Sequence, residues 1–410
     1  MSIIKPFKAL RPQAEFAKQV ASRPYDVLNS AEAKQEVQGN PYSFLYVTKS
    51  EVSLSDNIDI HTPEVYETAK QNLNNFIKRN ILFQESKACY YIYRLIMDGR
   101  SQTGLVVGSS IDDYENGIIK KHEFTRPEKE LDRINHIKIT GAQTGNVFLA
   151  YRNNDTIDEI VEKWTATKSP IYDFTADDNI QHTIWVVNDD ATIQKITTVF
   201  QEEIPCTYIA DGHHRAASAS KVRKETGAKH TENGDYFLTT LFPSNQLAIM
   251  DYNRVVKDLN GLSTEAFIEK ISEDFTISIT DNNAVKPATL HEFGMYLDGK
   301  WYKLTAKDGT YTNDPIGVLD VTILSNLILD KVLGIKDQRT DKRVDFVGGI
   351  RGLKELEKRV NSGEMKVAFS LYPVTIHQLF DIADSNNVMP PKSTWFEPKL
   401  RDGLLTNLIY

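Results

Sequence analysis

Between Val147 and Glu225 the sequence alternates two hydrophobic periods, and this alternation limits the possible folds more than any other feature. Val147 to Tyr151 is a short apolar run of strand type. Asp155 to Trp164 has a helical period, with Ile157, Ile160 and Val161 on one side. Thr183 to Val187 reads as a strand. Ala191 to Phe200 reads as a helix with Ile193, Ile196, Val199 and Phe200 on one face. Thr207 to Ala210 is a strand again. Ala216 to Glu225, rich in Ala and Lys, is a helix that Gly227 would stop. Strands alternating with helices predict a layered, mixed α/β fold.

The flanking regions carry weaker patterns. Ser43–Val47 and Tyr90–Leu95 are aromatic and β-branched and predict strands. Pro63–Arg79 predicts a helix with Thr62 as N-cap and Pro63 first in the helix. Phe237–Phe242 and Gln246–Met250 look like paired strands. Further on, helices are expected over Ser263–Phe275, Asp320–Leu333, Leu353–Val360 and Ile376–Asp384, the second ended by Gly334 and the last capped by Thr375. Met295–Leu304 predicts a hairpin turning at Asp298-Gly299. A strand is expected over Val367–Tyr372, followed later by an ordered or unordered Pro-rich loop, Pro390–Lys399. A chain of 410 residues exceeds one ordinary core. Divisions at 1–140, 141–260 and 261–410 are expected.

The turn between the strand ending at Ala210 and the next helix concentrates chemistry: Asp211-Gly212-His213-His214-Arg215. Gly212 permits a tight turn and close backbone approach. The N–H groups that follow open a helix and favour an anion. Arg215 adds a planar fork suited to phosphate or carboxylate. Asp211 beside an anion site suits a Mg²⁺ ligand or a general base. The bland reading makes Asp211 a helix cap and the histidines polar filler; five such residues on one turn favour function. Adjacent helical residues diverge by roughly 100°, so His213 and His214 are expected to serve different purposes.

Net charge and motif spacing exclude several classes. The formal charge is −8, without the basic stripe of a nucleic-acid binder. No apolar run is long enough and free enough of polar residues to span a membrane. The two cysteines, Cys89 and Cys206, have no metal-site spacing and suit a reducing compartment. A cytoplasmic location is expected. Nine histidines without an HxH or HExxH pattern argue against a metal hydrolase. Asp112–His136 is dense in charge and reads either as a solvated helix face opened near Thr125 and Pro127, or as a second pole of the site.

Several segments resemble, in order, family 1015 of the domains of unknown function. They are Arg23-Pro24-Tyr25-Asp26-Val27, Asn40-Pro41, Asp113-Tyr114 with Ile119–Thr125, Lys129-Glu130-x-Asp132-Arg133, Tyr208–Arg215, and Pro391-Lys392-Ser393-Thr394-x-Phe396-x-Pro398-Lys399. The Asp211–Arg215 turn is also similar to that of the ParB/sulfiredoxin-like fold, in which free serine kinases hold nucleotide phosphate. The sulfiredoxin cysteine has no counterpart here, and no helix-turn-helix follows.

The resemblance implies a ParB/sulfiredoxin-like core in 141–260 and phosphoryl transfer at a small hydroxylated metabolite, L-serine or O-phosphoserine first. Gly212 and Arg215 would hold phosphate. Asp211 would bind Mg²⁺ or act as base, with His213 or His214 stabilising charge. Glu123 is an alternative base, and Lys121, His122 and Arg126 would bind carboxylate or phosphate. Arg23, Asp26 and Lys392 are outer candidates. A nucleotide is the implied phosphate donor or acceptor, and the direction of transfer stays open. The other readings are a ParB-like nucleotide hydrolase used as a switch and a non-enzymatic nucleotide- or metabolite-binding regulator. Oligomeric state has no signature in the sequence.

Overall fold

The computed structural model describes residues 1–123, 125–226, 232–280 and 283–410. The helix stop expected at Gly227 lies outside them. The chain forms two compact units, Met1–Leu247 with Pro398–Tyr410, and Ala248–Glu397. The boundary expected after residue 140 falls inside the first unit, because strands from both sides of it share one sheet. The last expected division is likewise split, since the chain re-enters the first unit at Pro398.

The main sheet of the first unit takes strands from most of its length. In chain order they are β1 (Ile4–Lys5), β2 (Tyr90–Met97), β3 (Arg100–Ser110), β4 (Ile119–Lys120), β5 (Val147–Tyr151), β6 (Tyr172–Thr175), β7 (Gln181–Val187), β8 (Thr207–Asp211) and β9 (Tyr236–Pro243). Their order across the sheet is β4-β8-β5-β9-β3-β2-β7-β6, with β1 on β3. The pairs β4–β8 and β5–β9 are parallel and the other pairs antiparallel. The fold is therefore mixed α/β, as the alternating periods predict.

The main helices of this unit are α1 (Pro63–Lys78), α2 (Pro127–Thr140), α3 (Asp155–Thr167), α4 (Asp190–Glu203) and α5 (His213–Thr226). Alternate strand residues Ile92, Leu105, Val107, Leu149 and Ile209 share one core with Ile157, Ile196, Phe200 and Ala216 of the helices. The intervening residues serve other packing. Tyr93 bonds its hydroxyl to His182 Nδ1 at 2.8 Å, and the Arg401 backbone N–H reaches the same hydroxyl at 3.4 Å.

Two local expectations fail for stated reasons. Ser43–Val47 is not a strand: Leu45–Thr48 is a helical turn. Phe44, Leu45 and Val47 are all buried, so the run lacks the alternation that separates strand from buried helix. The Ser43 hydroxyl accepts from the Leu45 N–H at 3.3 Å and starts the turn. Gln246–Met250 does not pair with β9. Ile249–Met250 pairs instead with Trp395–Phe396 inside the second unit, which orders the Pro-rich loop.

The second unit holds an antiparallel sheet of β10 (Tyr252–Val256), β11 (Phe275–Ile279), β12 (Glu292–Leu297), β13 (Lys300–Ala306), β14 (Val344–Gly348) and β15 (Val367–Leu371). The order is β11-β13-β12-β15-β10-β14. The β12–β13 hairpin turns at Asp298 (φ 48°) and Gly299 (φ 77°), the positive pair that a primed turn requires. The helix at Thr264–Ile271 stops before Phe275, which opens β11. The run from Asp320 is α-helical to Leu324 and π-helical over Ser325–Asp330.

Candidate functional site

Strand β8 and helix α5 meet with no intervening loop beyond Gly212. The register of β8 against β5 slips between Ile209 and Asp211, so that Ile209 faces Leu149 and Asp211 faces Phe148. Such a bulge re-aims the side chains that follow it. Gly212 has φ 96°, a value reserved for glycine, and a Cβ there would lie 3.0 Å from Arg215 Nε. The Ala216 N–H bonds to the Gly212 carbonyl at 3.1 Å. The amides of His213, His214 and Arg215 thus precede the helical ladder, where an anion is favoured.

The side chains of the turn form a network of charges. Asp211 Oδ2 accepts from Lys399 Nζ at 3.1 Å and lies 3.7 Å from an Arg215 terminal nitrogen. The same nitrogen is 3.7 Å from Asp26, and the other donates to the Asn146 carbonyl. Arg215 is therefore folded beneath the turn and buried. Burial opposes its charge, but Asp26, Asp211, Tyr25 and Asp402 outweigh burial and raise its pKa. Burial likewise opposes the Asp211 carboxylate, and Lys399 and then Arg215 reverse this, holding it well below the usual range. A carboxylate already between two cations does not suit a magnesium ion, and the metal-ligating geometry lies beside it. Burial pushes Asp402 up to about 7, with Arg215 pulling the other way.

The charged segment meets this turn through both histidines, which diverge as expected. His214 Nε2 accepts the Arg126 N–H at 2.9 Å and so pins the start of α2. His213 turns toward the other end of the segment. Its ring stands at 90° to that of His122 with centroids 4.6 Å apart, and its Nδ1 is 4.0 Å from Glu123 Oε2. His122, Glu123 and His213 each offer a ligand atom within 4.8 Å of the others, a cluster that can coordinate a metal ion. An HxH pattern would not report this cluster, because its residues come from two segments of chain. Burial holds both histidines neutral, His122 at about 4 and His213 well below its ordinary value.

The solvated-face reading of the charged segment fails at Glu130 and Arg133, which are buried. Glu130 is held by Thr125 and Lys221. Arg133 stacks on the Tyr25 ring at 3.9 Å and pairs with Asp132 at 2.7 Å. Lys121 lies over the Tyr114 ring at 3.8 Å. Arg23 is engaged by Glu36, with Nε to Oε2 at 2.8 Å. Lys392 belongs to the second unit, 5.8 Å from the Tyr252 ring. Sequence reasoning passed over Lys399, Asp402, Tyr25 and Arg133. Tyr25, Arg133 and Lys399 stand inside the motifs that carry the family resemblance, which is the signal that could have found them. A cleft of about 300 Å³ lined by Tyr25, Asp26, Lys49, Lys129, Asp132 and Arg133 reaches the turn through Asp26.

Comparison with known proteins adds a family. No curated protein matches the chain. Among solved structures, a conserved hypothetical protein from Pyrococcus furiosus matches with 14% identity over 74% of this chain and 95% of its own, at a TM-score of 0.37. A free serine kinase variant in complex with AMP matches with 13% identity over 73% and 92%, at 0.38. SbnI from Staphylococcus aureus, truncated at its C-terminus, matches with 10% identity over 72% and 85%, at 0.33. The family model described as "Protein of unknown function (DUF1015)" matches residues 4–322, most of the sequence, and the chain belongs to that family.

Proposed function

We propose that the first unit is a phosphoryl-transfer enzyme acting on a small hydroxylated metabolite, with L-serine or O-phosphoserine the leading substrate. The observation that carries this reading is the Lys399–Asp211 pair, 3.1 Å apart, at the glycine-opened start of α5. A lysine ammonium and successive unladdered amides at one point are what a phosphate group requires. In this reading Asp211 orients Lys399, and Arg215 locks Asp211 and the turn from beneath. That role differs from direct phosphate binding by Arg215, because its guanidinium is already shared among Asp26, Asp211 and the Asn146 carbonyl.

The half-exposed Glu123, 4.0 Å from His213, takes the proton of the attacking hydroxyl. The substrate oxygen bonds to phosphorus as the bond to the leaving oxygen breaks, and the reverse reaction uses the same groups. The adjoining cleft carries both charge signs, with Lys129 and Arg133 against Asp26 and Asp132, as an amino-acid zwitterion needs. Its volume of about 300 Å³ suits a small metabolite. A nucleotide serves as donor or acceptor, and the partners are small molecules.

Phosphorus NMR of the purified chain with Mg²⁺, ATP or ADP, serine and phosphoserine tests this. The expected result is phosphoserine growing or decaying in step with nucleotide. Nucleotide consumption that ignores the acceptor would replace this reading with a nucleotide-hydrolysing switch. Binding without turnover would leave a regulator.

A further inference from the structure

We propose that His122, Glu123 and His213 bind one first-row divalent transition-metal ion of the Zn²⁺ or Co²⁺ class. The inference goes beyond the phosphate turn and does not depend on phosphoryl transfer: Glu123 binds through one carboxylate oxygen, and the other stays free for the proton transfer of the proposed function.

Two buried imidazoles converge with one half-exposed carboxylate, each offering an atom within 4.8 Å of the other two. His122 is 2% and His213 6% exposed. Interior histidines almost always satisfy their ring nitrogens with hydrogen bonds. Here His213 Nε2 has no partner, and neither ring nitrogen of His122 makes a bond of good geometry, although the Ile209 backbone bears on it. Two such rings side by side are a poor structural solution and a good pair of ligands. Asp211 adds a negative field felt by both rings, while Lys121 opposes it at His213.

Tetrahedral coordination needs ligand atoms about 3.4 Å apart. The three ligand atoms lie within 4.8 Å of one another, with no ion present. Two nitrogens and one oxygen select borderline transition metals over Mg²⁺. The exposure of Glu123 leaves one side of the ion open to solvent, the mark of a reactive rather than a closed structural site.

The test uses the full chain, stripped with a chelator and titrated with Co²⁺. The expected result is visible d–d absorption that saturates at one equivalent, is abolished by Zn²⁺ and is untouched by millimolar Mg²⁺. His122→Gln weakens Co²⁺ binding at least 100-fold and Glu123→Gln at least 10-fold, whereas His214→Gln leaves it unchanged. Absence of saturable bands, or equal affinity in wild type and Glu123→Gln, overturns the proposal. Circular dichroism reports whether His122→Gln folds; if it does not, the half-exposed Glu123→Gln decides alone. A chain that binds Co²⁺ and transfers no phosphoryl group overturns the proposed function only. A chain that transfers phosphoryl and binds no Co²⁺ overturns this inference only.

Discussion

Gly212 is the residue on which the turn depends most sharply. Its φ of 96° strains any side chain placed there, and an added methyl carbon 3.0 Å from Arg215 Nε would push the guanidinium aside. Gly212→Ala is expected to cost about 1–3 kcal/mol of stability from backbone strain, read by urea unfolding, and to weaken phosphate binding at least tenfold. Asp402 gives a pH signature. Its folded pKa, about 7, is raised above the ordinary carboxylate value. The stability it contributes is therefore complete below about pH 4 and lost as pH rises through 7. Asp402→Asn removes that loss, so its Tm should gain on wild type by several degrees between pH 5 and pH 8. An unchanged difference would count against the assignment. The five residues Asp211–Arg215 were legible because they fall in one window of sequence. Lys399 was not, since it reaches Asp211 from 188 residues away and no local pattern reports that distance.

At the scale of elements, α5 is held by small residues rather than by an apolar stripe. Ala216, Ser218, Ala219 and Ser220 are buried, which lets the helix approach both the sheet and α2 closely. The Ser218 hydroxyl lies 3.1 Å from the Glu130 carbonyl of α2 and 2.7 Å from the His214 carbonyl. This contact brings the charged segment against the turn. Ser218→Leu overpacks the contact and should cost about 1–3 kcal/mol, with activity falling alongside; Ser218→Ala should retain both within twofold. Urea unfolding and turnover measured on the same samples separate the two outcomes. Helices α3 and α4 were readable because one face is buried and the other wet, whereas β5, β7 and β8 are buried on both faces and were readable as short apolar runs set between those helices. Ser43–Val47 and Gln246–Met250 were not, because a run buried on all sides has no period and a strand's partner is set by tertiary structure.

At the scale of the molecule, the chain leaves the first unit at Ala248 and returns at Pro398. Asn407–Leu408 then pairs with Ala142–Gln143, and Leu10 bonds to Thr406, so the closing residues are built into the unit that holds the turn. Sequence periodicity cannot reveal such a return, and for that reason the expected division at 261–410 joined residues that fold apart. The return also delivers Lys399 to Asp211, the contact on which the functional reading rests. The most direct test is single-turnover transfer between nucleotide and serine or phosphoserine, followed by phosphorus NMR for wild type, Lys399→Ala and Arg23→Gln. The account predicts at least a 100-fold loss in Lys399→Ala and less than a threefold change in Arg23→Gln, whose side chain is engaged by Glu36. Wild-type transfer that survives Lys399→Ala, or no transfer in the wild type, would contradict it.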